Sequence, residues 1–211
     1  MLAMNQINPA PRIGATQWLI GLNVLAYFLQ WRDQQSAMQL FALWPLNLSG
    51  SADFPHLFEL WQIFTSAFLH GGPMHLGFNM LGLWMFGREV EAAFGWRRFL
   101  VLYFVSVLVA SLCQLLTMYL VGEFVPTIGA SGGVMGILLA FAMLYPKRII
   151  VLIIPPIPLP AWLFVPLFAL VELFLGLSGK QSGVAHFAHL GGMLGALVLT
   201  RHWLRARRRA P

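Results

Sequence analysis

Long apolar runs alternate with short polar breaks along almost the whole chain. Six stand out, at about residues 17–31, 73–87, 99–121, 131–145, 161–177 and 184–204. A helix needs about 20 apolar residues to cross a bilayer, so the pattern predicts six spans in one membrane domain. Trp18 and Trp31 bracket the first run, where indole rings settle at the membrane–water boundary. Pro73 is placed to open the second helix, because the first helical position needs no N–H donor. Pro146-Lys147-Arg148 ends the fourth, and Pro155-Pro156-Ile157-Pro158-Leu159-Pro160 excludes regular helix before the fifth.

The breaks differ in kind. Residues 32–72 carry Asp33, Asp53, His56, Glu59 and His70 among many aromatics, too polar to span and too apolar for a free linker. A folded loop with short helices partly embedded in the membrane interface is predicted there. Residues 88–98 form a charged loop, and 178–183 a short Gly/Ser loop. The expected organisation is a short segment 1–16 without a cleavable signal, a six-span domain 17–204 and a basic tail 205–211. There is no internal repeat.

Composition agrees with the pattern. With 211 residues, 59% hydrophobic and only 9% charged, the chain has too little polar surface for a soluble globule. The single cysteine, Cys113, lies inside an apolar run, which excludes disulfides and a cysteine metal cluster. The net charge of +6 raises nucleic acid as a partner, but the basic residues sit in short loops and the tail. Arg12, Arg88, Arg97, Arg98, Lys147, Arg148 and the five arginines from 201 to 209 make 11 of 13 Lys and Arg on one side of a six-span topology. Positive charge stays on the cytoplasmic side. Both termini are therefore expected in the cytoplasm, with the lipid bilayer as partner and no nucleic acid.

On that topology spans two, four and six run from outside to inside. His75 and Asn79 lie in the first two turns of span two, Ser131 opens span four, and His186 and His189 lie in the first two turns of span six. Polar groups within spans are costly and suggest function or mutual pairing. Singly, each has a bland explanation: His75 and Asn79 as an interhelical pair, Ser131 as a helix cap before a small-residue contact. Together they converge on one depth near the outer face.

Gly132 and Gly136 on span four, and Ala185, Ala188, Gly192 and Ala196 on span six, form small-residue stripes that let backbones approach closely. That approach brings His189 within hydrogen-bond reach of Ser131, the minimum unit for nucleophilic acyl transfer. No carboxylate is obviously placed to orient the histidine. Glu123 falls in an outer loop and Glu172 inside span five, where a helix-packing hydrogen bond in protonated form is expected. A Ser–His dyad held by packing is predicted.

The motifs Gly129-Ala130-Ser131-Gly132, His75-Leu76-Gly77-Phe78-Asn79 and Ala188-His189-Leu190-Gly191-Gly192, in this order on alternate spans, resemble the rhomboid family of intramembrane serine proteases. The resemblance covers about 18–199. It implies an all-α membrane protein, a six-transmembrane-helix bundle of the bacterial core type. It further implies Ser131 as nucleophile, His189 as general base and acid, and His75, Asn79 and the Ser131 N–H as oxyanion donors. Gly129 matches the family's loop glycine. Trp61 and Thr65 match its first-loop motif, with Gln62 where arginine is usual, and Glu91 and Gly95 match a signature after span two. Met135 stands where many members stack an aromatic on the histidine, so a looser imidazole is expected.

The resemblance implies single-span membrane-protein substrates, a bacterial cell membrane, and neither metal nor organic cofactor. The alternatives are a rhomboid-like binding protein that does not cut its clients, or a small transporter with histidine ligands.

Overall fold

Each apolar run has become a helix, and the breaks fall close to where the proline, glycine and charge pattern puts them. The computed structural model describes residues 14–46, 58–122, 125–151, 156–179 and 184–209. Arg12, Asp53, His56, Glu123, Lys180 and most of the 178–183 loop lie outside these residues. The first span is α1 (Ala15–Arg32), and the loop after it holds α2 (Gln34–Phe41) and α3 (Gln62–Thr65). The second is built from α4 (Pro73–Gly82), a π-helical turn (Leu83–Gly87) and α5 (Arg88–Phe94). Then follow α6 (Trp96–Val121), α7 (Ser131–Leu144), α8 (Ala161–Ser178) and α9 (His186–Arg209). Between α7 and α8 lies a two-stranded antiparallel sheet, β1 (Ile149–Val151) on β2 (Pro158–Pro160). Among the described helices α6 and α8 are long and apolar enough to cross a membrane, and α7 is a shorter apolar helix.

Helix α7 is the hub, with nine of its 14 residues buried. It wedges between α6 and α9, and glycine makes the wedge fit. A Cβ at Gly132 would meet the Ala110 methyl of α6 at 2.5 Å, and one at Gly192 of α9 would run into the Gly132 carbonyl. A Cβ at Gly136 would collide with Ser106. Backbone-to-backbone approach of this kind tolerates no side chain. It is what sets the distance between the α7 N-terminus and α9.

Two expectations are corrected. Residues 88–98 are not a loop: the helix runs to Phe94, stops at Gly95 with φ +81°, and α6 begins one residue later. Nothing before Gly95 breaks a helix, and the charges have partners inside the fold. Glu91 accepts hydrogen bonds from Ala15 N at 2.7 Å, Thr16 N at 2.9 Å and Thr16 Oγ1 at 2.6 Å. It caps the N-terminus of α1, where orphan N–H groups and the helix dipole favour a carboxylate. Glu91→Gln is expected to cost about 1–2 kcal/mol, read as a lower thermal unfolding temperature in detergent. Nor is the tail separate from 205 onward. Helix α9 continues to Arg209, and Arg207 donates to the Ala93 carbonyl near the end of α5.

Candidate active site

The segment leading into α7 is held on both sides. Leu43 and Thr127 exchange backbone hydrogen bonds at 3.0 and 2.9 Å, and Gly129 N donates to the Ser66 carbonyl at 2.9 Å. Gly129 has φ +127°, and a Cβ there would lie 2.8 Å from His75 Cε1 and Nε2. Only glycine meets both demands. The chain then turns into α7 at Ser131, whose first-turn N–H groups have no acceptor within the helix.

Ser131 Oγ lies 2.8 Å from Nε2 of His189. On the other side of that ring, Nδ1 lies 2.9 Å from Glu172 Oε2. The same carboxylate oxygen is 2.7 Å from Nδ1 of His186. All three groups are nearly dry, with side-chain exposures of 12% for His189, 8% for Glu172 and 6% for His186. The expectation that no carboxylate orients the histidine is therefore wrong. Glu172 reaches across from α8, and His186 and His189, three residues apart, share the α9 face it meets. Met135 packs against the main core, so two polar partners rather than an aromatic stack orient the imidazole.

The remaining predicted residues gather on the α4 side. Gly71 N donates to His75 Nδ1 at 3.2 Å, which leaves the neutral ring's proton on Nε2, the atom beside Gly129. Asn79 is buried and donates from Nδ2 to the His75 carbonyl at 2.9 Å, with its second N–H to spare. A cavity of about 20 Å³ borders Ser131, Gly129, Ser66, Ser111 and Gln114. That is room for about one water among polar partners.

The loop between α1 and α4 is pinned by the residue that departs from the motif. Gln62 is buried, and its Oε1 accepts from Trp44 N and Glu59 N, both at 3.2 Å. Trp61 Nε1 donates to the Leu40 carbonyl and Thr65 Oγ1 to that of Phe41, each at 2.9 Å. Gln30 and the His70 backbone exchange two hydrogen bonds, at 2.8 and 2.9 Å. The His70 ring is buried, neither nitrogen making a well-formed hydrogen bond among the described residues, and it stands edge-on to His75 at 5.1 Å. Burial first, and then His75, push its pKa down to about 4.

A histidine kept neutral by folding withdraws stability when protons are offered. The contribution is whole above about pH 6.5 and falls as pH drops towards 4, so about 2 kcal/mol is expected to go between pH 7 and 5. His70→Phe keeps the backbone clamp and should flatten that slope, checked by thermal unfolding at both pH values.

Fold and site thus define a polytopic helical membrane protein with a hydroxyl, an imidazole and a carboxylate in line inside it. The Rhomboid domain model matches residues 57–206, and the chain belongs to the rhomboid family. "Rhomboid protein 1, mitochondrial" of Saccharomyces cerevisiae is 36% identical over 142 aligned positions, covering 64% of this chain and 40% of the yeast protein. "Rhomboid protease AarA" of Providencia stuartii is 30% identical over 212 positions, covering 88% of this chain and 71% of that protein. "Rhomboid protease GluP" of Bacillus subtilis is 29% identical over 139 positions, covering 65% of this chain and 25% of that protein. The chain thus spans less than half of the yeast and Bacillus relatives.

Proposed function

We propose that residues 17–204 form an intramembrane serine endopeptidase that hydrolyses peptide bonds of membrane proteins close to the extracytoplasmic face. The observation that carries this reading is the 2.8 Å contact between Ser131 Oγ and His189 Nε2, two groups far apart in sequence. Several relatives being named rhomboid proteases supports it.

Ser131 Oγ attacks the scissile carbonyl carbon while its proton passes to His189 Nε2. The carbonyl oxygen gains negative charge and is met by His75 Nε2–H, Asn79 Nδ2–H and the Ser131 N–H. His189 then returns the proton to the leaving amine, and the ester remaining on Ser131 is hydrolysed by a water that His189 deprotonates. Neither metal nor organic cofactor is needed for any of these steps. Removing one oxyanion donor by Asn79→Ala is expected to lower kcat about 10²–10³-fold, measured on a purified substrate in vesicles.

Depth follows from length. Helix α7 has 14 residues, about 21 Å of rise against a hydrocarbon core of about 30 Å. With its C-terminal end at the basic face, its N-terminal serine lies below the opposite surface, where water reaches it from above. The distribution of Lys and Arg supports cytoplasmic termini. The relatives from Providencia stuartii and Bacillus subtilis support a bacterial cell membrane as the home of the protein, the yeast mitochondrial relative pointing to the alternative. Single-span helices suit the site as substrates, because a spanning helix must locally unwind before a serine can reach its carbonyl. The end of α8 would then act as the gate; the candidate lid at 178–183 lies mostly outside the described residues.

The test is cleavage of a single-span substrate in proteoliposomes, with the fragments mapped by mass spectrometry. Cuts in the extracytoplasmic part of the substrate helix support the reading. Intact substrate that nevertheless co-purifies with the protein would make it a binding factor.

A further inference from the structure

We propose that Glu172 is a positioning residue, holding His189 in the one tautomer that can take a proton from Ser131. This rests on the protease reading above and adds a third member to its Ser–His pair. Three helices each contribute one group: α7 the hydroxyl, α9 the imidazole and α8 the carboxylate. Two imidazole nitrogens on one oxygen suit an ionised Glu172 rather than the protonated form expected from the sequence. Because an ionised carboxylate is acceptor only, the imidazole nitrogen 2.9 Å from Oε2 carries the proton. With the proton on Nδ1, the Nε2 lone pair faces Ser131 Oγ. In the opposite tautomer Nε2–H would point at the hydroxyl and no base would be present.

His186 completes the arrangement. Its Nδ1 lies 2.7 Å from the same oxygen. Two N–H donors converge on one carboxylate oxygen, which fixes the Glu172 side chain before any substrate arrives. The far nitrogen of His186, Nε2, is buried without a hydrogen-bond partner among the described residues, so this ring serves to buttress Glu172 rather than to reach Ser131. During attack the proton moves from Ser131 to His189 Nε2. The imidazolium so formed keeps its Nδ1–H on Glu172, whose negative charge stabilises it. Glu172 itself takes no proton. Because the carboxylate belongs to α8, the reactivity of Ser131 is tied to α8 staying seated against α9.

The experiment compares wild type, Glu172→Gln, Glu172→Asp and Ser131→Ala in proteoliposomes, with ¹⁵N-histidine spectra of the same proteins. Glu172→Gln keeps shape and polarity but loses the charge. Its kcat should fall about 10²–10⁴-fold, with KM held within about twofold, and the His189 signal should change from a single Nδ1–H tautomer to a mixture. Glu172→Asp restores the charge at shorter reach and should recover part of the rate and of the tautomer. Wild-type kcat and an unchanged His189 tautomer in Glu172→Gln would overturn the proposal. So would a lower unfolding temperature with kcat per folded molecule intact, which would make Glu172 a helix tie and nothing more. If wild type itself shows no Ser131-dependent cleavage, the protease reading fails, and the tautomer spectra still decide whether Glu172 sets the imidazole.

Discussion

Replacing His189 with alanine is expected to slow peptide-bond hydrolysis by about 10⁶-fold, as losing the base of a nucleophile–base unit does elsewhere. Among the described residues neither the neighbouring carboxylate nor the second α9 histidine can stand in for it. Glu172 Oε2 lies on the far side of the ring from Ser131, bonded to Nδ1 rather than Nε2. His186 spends its Nδ1 on the same carboxylate and has its other nitrogen buried. A serine hydroxyl without a base is a poor nucleophile. The measurement is single-turnover cleavage in proteoliposomes for His189→Ala, Ser131→Ala and the double variant. If the two act as one unit the double variant is no slower than either single. Losses that multiply would mean that the residues act separately.

The second large effect concerns packing. Gly192→Ala is expected to cost about 3 kcal/mol, because the new methyl meets the Gly132 carbonyl across a backbone-to-backbone contact. Helix α7 is blocked from behind, where a Cβ at Gly132 already meets Ala110 at 2.5 Å and one at Gly133 meets the Tyr103 ring. Any molecules that do fold should pay again in rate, since a displacement of about 1 Å between reacting groups costs about 10²-fold. Gly21→Ala is the control: a methyl there meets nothing within 4 Å, and its unfolding temperature should stay close to wild type. Thermal unfolding and cleavage per folded molecule, measured on both variants, check the argument.

Much of this was legible in the residues alone. Apolar runs, Pro73 and the proline cluster at 155–160 announce helices and breaks because the bilayer and the missing proline N–H act locally. The approach of α7 to α9 could be anticipated from small-residue stripes, since the absence of a side chain is visible in sequence. Glu91 and Glu172 were harder. A charged residue near a span end resembles a loop residue until its partner is known, and the partners of Glu91 are the N–H groups of Ala15 and Thr16 at the opposite end of another helix. The partner of Glu172 depends on how deep α8 sits and which way it rotates, which spacing along one helix does not state. Two histidines three residues apart on α9 were the available signal that one carboxylate could serve both. Gln62 was legible only as a departure from a motif, because its acceptor role depends on where the backbone of Trp44 and Glu59 passes.

An activated Ser131 hydroxyl is tested most directly by a fluorophosphonate adduct mapped by mass spectrometry of the intact protein and its peptides. One adduct on Ser131, absent from Ser131→Ala and greatly slowed in His189→Ala, is the predicted result. A folded protein that carries no adduct, or one whose adduct survives Ser131→Ala, would contradict it.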